Sequence, residues 1–137
     1  VELVQAFPAQ PFVLDHIAKP KIKAGEIKDW RWHMRAMARC PNVVCKLSGL
    51  VTEASWASWS TGDLRPYVEH AVAKFGPDRL LFGSDWPVCT LAAPYERVVA
   101  LAAELVDGLS TTEQAAVMGR TAAAVYGLAG DHDRAIP

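Results

Sequence analysis

Residues Asp78 to Val88 read DRLLFGSDWPV, and this stretch decides the fold class. It follows a turn-forming Gly76-Pro77, runs through an apolar Leu80-Leu81-Phe82, and stops at Gly83-Ser84-Asp85-Trp86-Pro87. An apolar run this short reads as a strand buried on both faces, where a carboxylate within the register would be costly. At the carboxyl end that cost falls, and in α/β proteins this is the end where sites are built. Asp85 is therefore the candidate chemical centre.

Two earlier segments have the same design. Pro11–His16 is apolar and ends in Asp15-His16, with Ile17-Ala18-Lys19-Pro20 leaving it as a loop. Val43–Ser48 is a second apolar run, with Gly49 letting the chain turn; Val43, Cys45 and Leu47 share one face, Lys46 and Ser48 the other. Between the strands lie helical patterns. Ile27–Arg39 carries Trp30, Met34, Met37 and Ala38 on one side, and Leu64–Phe75 carries Leu64, Val68, Ala71, Val72 and Phe75, with Asp63 as its cap and Pro66 in its first turn. Val51–Gly62 reads as a Ser- and Trp-rich loop. Pro94–Asp107 is a helix with Val98, Leu101, Ala102 and Leu105 inward, Ser110-Thr111-Thr112-Glu113 is a capping box, Thr121–Leu128 is a last helical turn or two, and Gly130–Pro137 is a polar tail.

Strand alternating with helix predicts a parallel sheet. Two architectures satisfy it: a small open sheet with helices on both faces, or the last three strands of a (β/α)8 barrel, which when complete takes about 250 residues. A free three-stranded parallel sheet leaves two edges unpaired, which favours a missing part or a partner. The chain also opens on Val1 rather than Met, as a piece of a longer protein does.

With 14 Lys and Arg against 15 Asp and Glu, the charge balance lacks the basic excess of a nucleic-acid binder. No apolar run reaches the roughly 18 residues of a membrane span. Cys40, Cys45 and Cys89 are odd in number and lack CxxC spacing, which fits reduced cytoplasmic thiols better than a disulfide frame.

Leu14-Asp15-His16-Ile17-Ala18-Lys19-Pro20, then Asn42 to Leu50 (NVVCKLSGL), then Arg79 to Pro87 (RLLFGSDWP), in that order, resemble the amidohydrolase-related (amidohydrolase 2) family, and within it the TIM-barrel branch that hydrolyses sugar lactones. The likeness spans Phe12 to Leu128. It implies that residues 1–137 are the carboxy-terminal part of one barrel, its strands six to eight, inactive without the amino-terminal half. It also implies that Asp85 matches the catalytic Asp of strand eight, and that a His is carried where His16 stands. The family's His-x-His pair of strand one has no match in this sequence. Thr121 stands where the closing helix of the family usually begins with Asn-Ala.

Hydrolysis of a lactone needs a base to take a proton from water, or a metal to acidify that water. Asp85 suits either task. His16, read as pointing the same way as Phe12 and Leu14, would polarise the carbonyl, orient water or ligate a metal. Asp15 then faces the helices as a structural residue. Lys46, Ser48 and Lys19 could hold an oxygen-rich substrate, and Trp86 or Trp56 could stack on a sugar ring. Against these stand plainer readings: a turn-capping Asp85, a structural His16, solvated lysines and tryptophans that only pack. His33, His70 and His132 read as surface residues. The branch leaves metal use open: one divalent ion such as zinc, held in part by Asp85 and His16, or none. The expected partner is a small lactone, with neither nucleic acid nor membrane involved; the sequence leaves the oligomeric state open. Two rivals are a non-catalytic open flavodoxin-like domain binding a small ligand, and a decarboxylase on the same barrel.

Overall fold

The computed structural model describes residues 1–128. The polar tail and His132 lie outside the described residues. After a short helix α1 (Glu2–Ala6) come strand β1 (Phe12–Leu14), helix α2 (Lys28–Ala38), strand β2 (Val43–Leu47), helices α3 (Leu50–Glu53) and α4 (Thr61–Phe75), strand β3 (Leu80–Phe82) and helices α5 (Tyr95–Leu105), α6 (Thr111–Ala115) and α7 (Thr121–Tyr126), the last two joined by a π-helical turn.

The three strands are parallel in the order β1-β2-β3, with Leu14 opposite Cys45 and Cys45 opposite Leu80. The order never reverses. A flavodoxin-like sheet needs a reversal to make its ligand crevice, so the described sheet lacks the feature on which that rival depends. Val43, Cys45, Leu47 and Leu80 are buried in one core with Met34, Leu64, Val68, Phe75 and Leu101, which are the predicted inward residues of α2, α4 and α5. Helix α4 packs against both α2 and α5, so the helices form a row along this face of the sheet. No helix among the described residues is long and apolar enough to cross a membrane. The three cysteines are free and buried.

Several local expectations need correcting. Helix α4 begins at Thr61. Its cap is Ser60, with Asp63 in the reciprocal position of a capping box, so Pro66 lies beyond the first turn. Capping chemistry allows either Ser60 or Asp63; the Ser60 side chain wins because Asp63 answers it from three residues on. The stretch expected as a Val51–Gly62 loop is helical at both ends, in α3 (Leu50–Glu53) and in the start of α4 at Thr61. His70 is not a free surface residue: its ring lies 5.4 Å from that of Trp30 and its Nε2 is 3.3 Å from the Arg31 carbonyl. Burial pushes the His70 pKa below the usual histidine value. The capping box at Ser110–Glu113 is formed as predicted.

Candidate active site

The sheet ends in a cluster built from all three strand exits. His16 stands at its centre. Its Nδ1 lies 2.7 Å from Ser48 Oγ, and its Nε2 lies 3.2 Å from Asp15 Oδ2 and 3.9 Å from Asp85 Oδ1. Lys46 Nζ is 3.0 Å from the other Asp15 oxygen. Residues from three separate segments, 15–16, 46–48 and 85, thus meet at the carboxyl ends of adjacent parallel strands.

Strand alternation does not deliver His16 there. β1 stops at Leu14, and Phe12 and Leu14 pack toward the helices with the core. The chain then enters the left-handed region at His16, Ile17, Ala18 and Lys19, with φ of 49°, 43°, 58° and 49°. Such a backbone costs roughly 1–2 kcal/mol for each non-glycine residue, and Ile, being β-branched, resists it most. Two contacts offset the cost. The Ile17 side chain is fully buried, worth about 1.5–3 kcal/mol, and the buried Trp30 indole N–H donates to the Ile17 carbonyl at 2.7 Å. Asp15 does not face the helices. The turn swings its carboxylate between His16 and Lys46, correcting the structural role expected for it.

Two glycines make room. A Cβ on Gly49 (φ +64°) would sit 3.0 Å from His16 Nδ1, and one on Gly83 would sit 3.1 Å from Lys46 Cδ and 3.2 Å from Ser48 Cβ. Asp85 also has positive φ, 58°, a conformation that Asp tolerates better than most residues. Behind Asp85 and Ser48, between sheet and helices, is a cavity of about 20 Å³ lined by Leu47, Phe82, Val98 and Leu101. It has room for about one water molecule, so a lactone would have to approach from the open side of the cluster.

The charges are internally matched. Burial works to raise the Asp15 pKa, but the hydrogen bond from Lys46 and the nearby His16 outweigh it and hold the carboxyl below its ordinary value. Burial works to lower the Lys46 pKa, but Asp15, with a smaller contribution from the Tyr126 phenol, holds it above. Lys19 pairs with Glu53 at 2.9 Å, which raises its pKa. Ser48 is buried and turned onto His16, whereas Trp86, beside Asp85, is two-thirds exposed. Trp56 is exposed, with its indole N–H on the Thr52 carbonyl. Glu53, Trp30, Gly49 and Gly83 escaped the sequence reading as site residues. The glycines that follow β2 and β3 were the one available signal. Cys89 is buried, and burial and the Asp85 charge raise its pKa, so it presents no thiolate.

No group of three or more His, Cys, Asp or Glu able to hold a metal occurs among the described residues. The cluster is nonetheless compatible with supplying part of a ligand set. Nε2 faces carboxylates, so in a neutral imidazole it carries the proton and Ser48 donates to Nδ1. A metal on Nε2 would displace that proton, and the same hydroxyl would then accept from Nδ1–H, the usual support for a ligating histidine.

Comparison with known proteins gives the same direction. The amidohydrolase family model matches residues 1–128. The chain is 45% identical to an L-fucono-1,5-lactonase of Burkholderia multivorans, over 91% of this chain and 47% of that protein. The crystal structure of a Burkholderia multivorans amidohydrolase with bound zinc superimposes with a TM-score of 0.88 at 41% identity, covering 92% of this chain and 47% of that one. A putative 2-pyrone-4,6-dicarboxylic acid hydrolase from Pseudomonas putida, 24% identical, shares the fold with a TM-score of 0.71 over 92% of this chain and 47% of that one. The chain spans about half the length of the curated relatives it matches.

Proposed function

This chain belongs to the amidohydrolase family, and from that premise we propose that it is the carboxy-terminal part of a (β/α)8 hydrolase of small lactones, contributing strands six to eight. The observation that carries the reading is the meeting of His16 and Asp85 at the carboxyl ends of β1 and β3, the strands that flank β2, with Ser48 from the end of β2 behind the ring. The lactonase relative supports a sugar lactone as substrate.

In this reading Asp85 accepts a proton from water as the oxygen adds to the lactone carbonyl. The ring C–O bond then breaks, and the departing alkoxide recovers a proton from the cluster, leaving a hydroxy acid. In the same reading His16 Nε2–H, 3.9 Å from Asp85 Oδ1, steadies the negative charge that develops on the former carbonyl. Ser48 orients the ring. Asp15 and Lys46 fix the floor beneath it, and Lys46, Lys19 and the exposed face of Trp86 are the proposed substrate contacts. If a divalent metal such as zinc is bound, His16 and Asp85 would supply ligands, and the metal would polarise the carbonyl or acidify water. Three protein ligands are the usual catalytic minimum, so the rest would come from outside these residues. The chain alone is accordingly proposed to be inactive.

The test is a panel of sugar lactones and carboxylated lactones offered to the complete enzyme, with and without chelator. Ring opening of at least one lactone is expected. A full panel without turnover would overturn the assignment, and the chelator arm decides whether a metal takes part.

A further inference from the structure

We infer that Trp30 is a positioning residue for His16, acting from the helix side of the sheet through the left-handed turn; the inference rests on the proposed role of His16. The indole N–H of Trp30 bonds to backbone, not to a side chain of the site. It lies on α2, buried, its ring edge-to-face with Tyr67 at 5.2 Å and against His70 at 5.4 Å. From there its indole N–H reaches the carbonyl of Ile17, thirteen residues earlier, at 2.7 Å.

That carbonyl sits inside the turn that aims His16. Four consecutive residues hold positive φ without a glycine among them, and the Lys19 N–H closes the turn on the His16 carbonyl at 2.8 Å. Four consecutive residues of that kind persist only where the surroundings over-determine them. The Ile17 side chain anchors the turn by burial, and Trp30 fixes the direction of its carbonyl. Without the N–H the carbonyl is left buried and unsatisfied, and the peptide rotates to find another donor. His16 is the adjoining residue. Its ring has little freedom, since Gly49 backs it so closely that even a methyl group would touch it. A small rotation of the Ile17 peptide therefore moves Nε2 relative to Asp85.

The experiment is Trp30→Phe in the complete enzyme, which keeps an aromatic ring against Tyr67 and His70 and removes the donor. A misplacement of about 1 Å at a reacting group costs on the order of a hundredfold, so kcat is expected to fall roughly ten- to a hundredfold with KM within about threefold. The His16 ring nitrogens should shift in 15N NMR at fixed pH, a readout independent of turnover. Tyr67→Phe, which disturbs the same packing but leaves the donor, should move neither. If Trp30→Phe does not fold, replacing Trp30 by benzothienylalanine, an isostere with sulfur in place of N–H, carries the same expectations. Unchanged kcat and unchanged His16 resonances in the donor-less protein would overturn the inference. His16→Gln separates the two claims. If it leaves turnover intact, the proposed role of His16 fails, while the NMR arm still judges Trp30.

Discussion

Replacing Gly49 by alanine tests the site through its backbone. The residue has φ +64°, where a side chain costs roughly 1–2 kcal/mol, and its added Cβ would meet His16 Nδ1 at 3.0 Å and His16 Cβ and Cγ at 3.1 Å. His16 has little room to withdraw, because Ser48 holds one ring nitrogen and Asp15 faces the other. Overpacking of this kind adds about 1–3 kcal/mol, so Gly49→Ala is expected to lower the unfolding free energy by about 2–5 kcal/mol. Gly25→Ala is the internal control. Its φ is +67° with nothing within 4 Å of the added atom, so it carries the backbone cost alone, about 1–2 kcal/mol. Gly83→Ala is the complementary one, with close contacts to Lys46 and Ser48 but no left-handed backbone. Urea unfolding of the three variants, compared at unchanged m-value, separates the terms. Equal losses for Gly49→Ala and Gly25→Ala, within about 0.5 kcal/mol, would refute the claim that His16 is packed against that glycine.

Asp85→Asn preserves the tolerance of position 85 for positive φ and removes the base, so the complete enzyme should lose at least about a hundredfold in kcat; undiminished turnover ends its proposed role. The Cys45 thiol, pushed up to about 12 by burial and by the charge of Asp15, should resist thiol reagents at pH 8 until the protein unfolds, and prompt labelling of the native protein would contradict that burial. The Asp15–Lys46 pair sets a pH window. The depressed Asp15 pKa contributes stability above the unfolded value near about 3.9, lost as pH falls through the lower folded value; the raised Lys46 pKa contributes below about 10.4, lost as pH rises through the higher folded value. Because the Asp15 side chain is half exposed, the effect should stay under about 1 kcal/mol, and Asp15→Asn should flatten the acid limb of the urea midpoint against pH; an unchanged acid limb counts against the pair.

The sequence by itself determined the parallel three-stranded layout, the inward faces of α2, α4 and α5, and the candidacy of Asp85 and His16. Each of these follows from local periodicity: apolar runs ending in polar residues, and apolar residues recurring at helical spacing, as Trp30, Met34 and Met37 do. Only the tertiary structure decided how His16 arrives at Asp85. No glycine marks residues 16–19, so nothing local announces a left-handed turn. It is held by Trp30, far along the chain, and by burial of Ile17. The same holds for Asp15, assigned by strand alternation to the helices yet found between His16 and Lys46, and for the Lys19–Glu53 pair, which joins the turn after β1 to the end of α3. Periodicity reports which face a residue takes while the backbone stays regular. Where contacts distant in sequence override the backbone preference, as just beyond β1, the positions of the reacting groups are set in three dimensions.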